Sequence, residues 1–227
     1  MTGEVLPIGP ALPGWRPRPV PEPLHLSGRH SRLEPLDAAQ HAAALHTAFA
    51  GDDAGWTYMG YGPFQTPAHT LAWVAEWEGR SDPMMHAILD ASGPAGVVAL
   101  LRPAPAHGCM EIGHIRLGPR LRRTTAATEA LALVIGHVFD RLGYRRLEWK
   151  CDALNAASRR AADRLGFAFE GVFRNHMVVK GRNRDTAWFG MTDADWRRFA
   201  PGYAAWLAET GDGPQHRPLA AALAARA

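Results

Sequence analysis

Cysteine is nearly absent, with Cys109 and Cys151 the only two in 227 residues. Both fall in apparent strands without metal-type spacing. That excludes a disulfide-stapled scaffold and a cysteine-built metal site, and both read as reduced packing residues. Lysine is almost as scarce: of 25 basic residues, only Lys150 and Lys180 are not arginine. An excess of one charge is missing too. The 25 basic and 22 acidic side chains leave a net +3, too balanced to argue for a nucleic-acid partner. No apolar stretch approaches the ~18 residues of a membrane span. The first 24 residues hold seven prolines and no apolar run of signal-peptide length. The expectation is a cytoplasmic protein with no nucleic-acid or membrane partner and no metal. At 47% hydrophobic and 21% charged, the chain suits one globular domain with a real core plus extensions.

Residues 1–24 are punctuated by Pro17, Pro19, Pro21 and Pro23, which favours an extended arm. A first strand is expected over 25–36. Asp37 then caps a helix to about Phe49, with apolar positions at helical spacing. A Gly- and aromatic-rich loop, 55–64, contains Trp56, Tyr58, Tyr61 and Phe64. Thr66 opens a second helix to about Glu78. Strands are expected at 84–90, 96–102 and 109–117. A helix from Thr125 to Leu142 puts Ala127, Leu131, Val134, Ile135 and Val138 on one face, and Gly143 stops it. The segment 145–151 alternates as a strand. Asn155 caps a helix ending at Gly166, and strands follow at 167–179 and 184–191. Asp193 caps a further helix striped with Trp196, Phe199, Tyr203 and Trp206, which suits packing or a homodimer contact. The order implies an α+β sandwich: a mixed, mostly antiparallel sheet of about seven strands with helices on both faces. The organisation is an arm at 1–24, a domain at 25–195 and a helical tail at 196–227.

The strongest local signal is the arginine-rich turn between the strand at 109–117 and the helix at 125. A helix N-terminus carries unpaired N–H groups and partial positive charge. Preceded by a tight turn, it can cradle a pyrophosphate, and Arg122 and Arg123 add charge that a structural turn does not need. A plain strand-to-helix turn with solvated arginines is the alternative.

Four segments together resemble the GNAT acyltransferase superfamily, and more narrowly its RimJ/RimL-type N-acetyltransferase branch. Arg122–Ala130 resembles the pyrophosphate loop. Leu142–Leu147 resembles the end of the central helix and the next strand. Asn155-x-x-Ser158 with Leu165-Gly166-Phe167 and Glu170-Gly171 is similar to the branch's helix-and-strand signature, and Lys180–Asp185 to its final hairpin. The likeness covers about residues 25–195. One departure is Thr125, which stands where the family loop has its second glycine. A threonine narrows the turn, but its hydroxyl could donate to a phosphate oxygen.

The resemblance implies acetyl-CoA as donor, a GNAT-like sheet, and transfer of the acetyl group to a primary amine in a ternary complex. The acceptor would be a protein N-terminus or a small-molecule amine. The diphosphate would bind the turn at Arg122, Arg123, Thr124, Thr125, Ala126, Ala127 and Thr128. The pantetheine arm would pair with backbone at Ile115, Arg116 and Leu117. Asn155 would contact pantetheine, although an N-cap alone also explains an asparagine there. Ser158 would lie near the thioester sulfur. The aromatic loop would shape the acceptor pocket, unless its rings are simple core.

The general base is open. The position that carries a carboxylate in RimL-like enzymes is Met177, which cannot serve. His114, Glu111, His176 and Asp185 remain. His114 ranks first because an unperturbed imidazole titrates near 6.5 and its segment borders the expected thioester site. Asp185 could equally pair with Arg182 or Arg184 in the hairpin. The missing carboxylate also suits a non-catalytic acyl-CoA-binding module. A longer acyl-CoA donor is a further alternative.

Overall fold

The computed structural model describes residues 6–211 and 218–224. Eight strands form one sheet. They are β1 (Leu26–Ser27), β2 (Arg32–Pro35), β3 (Met84–Asp90), β4 (Gly93–Ala104), β5 (Cys109–Leu117), β6 (Arg146–Asp152), β7 (Ala168–Val179) and β8 (Arg182–Thr192). Their order across the sheet is β1-β2-β3-β4-β5-β6-β8-β7, and every pairing is antiparallel except β5 with β6.

Period-2 alternation sorts the strands' side chains between two cores. On one face, Met85, Ala87, Leu89, Val97 and Ala99 pack against α1 (Ala38–Phe49) and α2 (Pro67–Trp77). On the other, Leu33, Ile88, Val98, Leu100 and Ile112 pack with α3 (Thr125–Gly136), α4 (Ala156–Arg164) and α5 (Asp193–Glu209). The caps act as their chemistry dictates. Asp37 accepts from the Gln40 N–H at 2.7 Å, and Thr66 from the His69 N–H at 3.2 Å. α3 starts at Thr125 as expected, capped by Thr124, and one cap sits a residue earlier than expected: Thr192, not Asp193, caps α5 in a capping box with Asp195. The long third helix winds as α only to Gly136 and continues as a π-turn over His137–Arg141.

The expected single first strand is two short ones. The cause is Glu129 on α3, a buried carboxylate that accepts from the N–H groups of Arg29 (2.8 Å) and His30 (2.7 Å) and from the Ser31 hydroxyl (2.9 Å). Those donors are lost to the strand ladder. A Cβ on Gly28 would lie 2.3 Å from the Glu129 carboxylate, so the turn needs a glycine.

Within the described part of the arm, residues 6–24, a turn closes at Leu12–Trp15 and the stretch from Trp15 to Leu24 lies on the sheet's end. Trp15 donates its indole N–H to the Ala106 carbonyl at 2.9 Å, Tyr144 donates to the Pro19 carbonyl at 3.1 Å, and the Leu24 N–H reaches His86 Nε2 at 2.9 Å. At the other terminus, Trp196, Tyr203 and Trp206 join the α3 core, together with Leu219 and Leu223 of α6 (Leu219–Ala224). The aromatic stripe is therefore packing, with Phe199 partly buried against the same core. Among the described residues no helix is long and apolar enough to cross a membrane, and no cluster of His, Cys, Asp or Glu could hold a metal ion.

Candidate active site

β5 and β6 run parallel but pair over only three positions, Cys109↔Arg146, Met110↔Leu147 and Glu111↔Glu148. Beyond Glu111 each strand keeps its outer partner, β5 with β4 and β6 with β8, and the two part from each other. A bulge in β5 aids the parting. Ala99 pairs Gly113 and Val97 pairs Arg116, so two residues of β5 oppose one of β4, and the bulged His114 has φ +50°. Such a bulge bends its strand. The inner edges of β5 and β6 then present backbone donors and acceptors without ladder partners.

A cavity of about 390 Å³ fills the gap. One side is walled by Ile112–Ile115 of β5, Trp149–Asp152 of β6, and Asn155 and Ser158 of α4. Its far side is walled by Tyr58–Tyr61, Trp77, and the His176, Met177 and Arg184 side of the β7–β8 hairpin. Tyr58 crosses over it, its hydroxyl donating to the Leu154 carbonyl at 3.2 Å. Lys180 reaches back to the Trp56 carbonyl at 3.0 Å.

Asn155 acts as the N-cap of α4, its Oδ1 accepting from the Ser158 N–H at 3.0 Å. Ser158 Oγ accepts from the Trp149 indole at 3.0 Å, and its hydroxyl also meets the Cys151 thiol. At the turn before α3, Thr124 is spent on the protein: its hydroxyl donates to Leu121 O and accepts from the Ala127 N–H. Thr125 is turned inward, 1% exposed, with Oγ1 unpaired. Thr128 is buried and accepts from Arg164 at 2.9 Å. An anion there would meet backbone, not threonine hydroxyls. The N–H groups of Arg123, Thr125 and Ala126 have no partner among the described residues. Gly118 seats this turn; a Cβ there would sit 2.6 Å from the Ala48 carbonyl.

Arg122 does not stand free. It forks onto Asp52 and donates Nε to the Leu117 carbonyl at 3.0 Å. The same carboxylate accepts from Arg116 at 2.7 Å. Arg116 is 2% exposed and lies between the Phe49 and Trp56 rings, 4.6 and 4.8 Å from their centroids. Burial would raise the Asp52 carboxyl, but the hydrogen bonds from Arg122 and Arg116 outweigh it and hold the pKa below the usual carboxylate range. Asp52 thus ties the turn before α3 to the aromatic loop. No local sequence signal marks this, because the partners lie 64 and 70 residues apart.

Of the four loop aromatics, Tyr58 and Tyr61 line the cavity. Trp56 and Phe64 do not: Trp56 packs edge-on against Phe49, Phe64 and Trp73, with centroids 5.2–5.7 Å apart.

Among the base candidates, His114 lines the cavity with Nδ1 2.9 Å from the Tyr61 hydroxyl, the two rings nearly parallel. Burial, then the charges of Arg102 and Arg184, push its pKa down to about 4 against a smaller opposing effect of Asp82. The imidazole is neutral at pH 7, well below the value that favoured it in the sequence. Burial likewise raises the Tyr61 phenol, which stays protonated. Glu111 is buried and its carboxylate is shared by Arg102 (2.5 Å) and Lys150 (2.9 Å). His176 lines the cavity, bonded through Nδ1 to the Thr186 hydroxyl at 2.9 Å. Asp185 is not part of the cavity wall. It accepts from the Asn175 N–H at 2.8 Å and from Asn183 at 3.0 Å, and neither Arg182 nor Arg184 is its partner. Met177 lines the cavity and offers no proton acceptor.

The family described as Acetyltransferase (GNAT) domain matches residues 31–168. A GCN5-related N-acetyltransferase from Brucella melitensis is 45% identical with a TM-score of 0.90, covering 94% of this chain and 100% of its own. A probable GNAT-family acetyltransferase from Chromobacterium violaceum ATCC 12472 is 42% identical with a TM-score of 0.78, covering 86% and 100%. The microcin C7 self-immunity acetyltransferase MccE, solved with acetyl-CoA and AMP, shares the fold at 19% identity and a TM-score of 0.65, covering 73% and 93%. A comparison with functionally curated proteins gave no match. With more than half of the chain matched by the family and a 45% identical relative spanning nearly all of it, the chain belongs to the GNAT acetyltransferase family.

Proposed function

We propose that the protein is an acetyl-CoA-dependent N-acetyltransferase of the RimJ/RimL-type branch, which passes the acetyl group directly to a primary amine. The observation that carries this reading is the parting of β5 and β6 beyond Glu111 and Glu148. It leaves two unpaired strand edges along a cavity that runs from Asn155 and Ser158 to His114 and Tyr61. An extended amide-bearing arm such as pantetheine adds to a free edge through main-chain hydrogen bonds. Its diphosphate suits the unpaired N–H groups opening α3, with Arg123 as the adjacent exposed cation.

The donor supplies an activated thioester. The amine nitrogen bonds to the acetyl carbon as the carbon–sulfur bond breaks. The Ser158 hydroxyl is placed on the donor side to return a proton to the departing thiolate. His114 takes the surplus proton from nitrogen. It does so in the tautomer that donates Nδ1–H to the Tyr61 oxygen, because only that form leaves Nε2 as an acceptor. A weak base suffices at this stage, since the nitrogen has become an acylated ammonium far more acidic than the free amine. Direct transfer is favoured over an acyl-cysteine route: Cys151 lines the cavity, but burial raises its thiol pKa and keeps the thiolate scarce.

The experiment is incubation with acetyl-CoA and peptides bearing free N-termini, following thiol release and peptide mass. Amine-dependent release with an acetylated peptide is expected, and no acetylated protein when the amine is omitted. Thiol release indifferent to the amine would contradict the reading.

A further inference from the structure

The cavity holds one cation that the protein leaves uncompensated. Five charged side chains besides the histidines line it: Arg102, Lys150 and Arg184 against Glu111 and Asp152. Glu111 is shared by Arg102 and Lys150, and Lys150 also binds Glu148 at 2.7 Å. Asp152 turns its Oδ1 to the Leu154 N–H at 2.8 Å. Arg184 stands on β8 opposite Met177, with no hydrogen-bond or ion-pair partner among the described residues. Its Nε is wholly enclosed and unsatisfied. Its charge is felt on both walls, by His114 of β5 and by Cys151 of β6, so the guanidinium faces the gap between them. A buried donor left unpaired is costly, and a charged one more so. A guanidinium in that state is a fitting place for a carboxylate, which it meets with charge-assisted bonds.

We infer that the acceptor is an amine carrying a carboxylate within a few bonds of the reacting nitrogen, and that Arg184 is the specificity-determining residue that holds it. This rests on the acetyltransferase reading above. A single free positive charge matches a monoanion; a phosphate dianion would call for a second cation, and Arg102 and Lys150 are already engaged.

The test uses matched peptides with free N-termini, Asp against Asn and Glu against Gln within the first three positions. Wild type is compared with Arg184→Met, and acetyl-CoA affinity is measured on both. Wild type should favour the acidic member of a pair by about tenfold or more in kcat/KM, chiefly through KM, the scale of one charged hydrogen bond. Arg184→Met should lose that preference while binding acetyl-CoA as wild type does. Equal use of acid and amide by wild type would overturn the inference and leave the transferase reading intact. A preference retained in Arg184→Met would also overturn it. So would loss of acetyl-CoA binding in Arg184→Met, which would move the arginine to the donor side. Failure of wild type to acetylate either member of any pair would count against both readings.

Discussion

Replacing Asp52 by asparagine should destabilise the protein far more than an exposed ion pair would suggest. Asp52 is 14% exposed and accepts from Arg122, which is 40% exposed, and from Arg116, which is 2% exposed. The Arg122 pair is wet and screened, worth about 0–1 kcal/mol. Arg116 is different. Its guanidinium is enclosed by Phe49 and Trp56, its Nε already lacks a partner, and Asp52 is its only anion among the described residues. Removing one partner of a buried pair costs about 3–5 kcal/mol, because the remaining charge is stranded. Asp52 keeps some solvent, and the amide oxygen of the variant would still accept one hydrogen bond, so the low end of that range, about 3 kcal/mol, is expected. For a chain of this size that is a fall of roughly 6–12 °C in Tm. Urea denaturation with a double-mutant cycle reads it: Asp52→Asn, Arg116→Met and both together. The double variant should be no less stable than Asp52→Asn alone, since removing the stranded charge relieves the penalty. A loss below about 1 kcal/mol in Asp52→Asn, or additivity of the two changes, would refute the reasoning. The low carboxyl pKa adds a sign. The pair's contribution is complete above the unfolded value near 3.9 and lost as pH falls through the lower folded value, so this cluster gives way only in strong acid.

Two histidines act at milder pH. Burial holds His86 and His114 at about 4, against about 6.5 when unfolded, so stability should fall as pH drops from 6.5 towards 4, by roughly 2 kcal/mol each at pH 5. Denaturant melts unchanged between pH 7 and pH 5 would contradict both burials. In turnover, kcat/KM should rise with pH towards the pKa of the acceptor amine, near 7.7–8.0 for an α-amine, without an inflection near 6.5. His114→Ala should lower kcat by about 10²-fold or more, and an inflection near 6.5 that disappears in this variant would show an imidazole titrating where burial forbids it. Glu129→Gln should cost about 2 kcal/mol, since one of the acceptors serving Arg29, His30 and Ser31 becomes a donor; wild-type stability would mean that the 28–31 turn holds without it.

What was legible in the chain was local. Apolar periodicity and capping residues placed the helices and most strands to within a few residues, because caps act over three or four positions. Where two polar residues adjoin, as Thr192 with Asp193, the choice between them depends on the incoming backbone angle, which composition does not record. The split first strand, the Asp52–Arg116–Arg122 cluster and the isolation of Arg184 are all set by residues distant in sequence. The same holds for His114. Its position beside the cavity followed from the motif order, but its neutral state comes from burial under Tyr61 and Trp77, brought from another part of the chain. Trp56 and Phe64 read like their neighbours Tyr58 and Tyr61, and only the fold separates the rings that pack from those that line the cavity.

Calorimetric titration of the full chain with acetyl-CoA tests the donor site most directly. Micromolar binding is expected, about −8 kcal/mol, with affinity weakened about tenfold or more in Arg123→Glu, where a carboxylate faces the unpaired N–H groups that open α3. No heat of binding up to millimolar acetyl-CoA would mean that the parted strands and the threonine-bearing turn do not form a donor site.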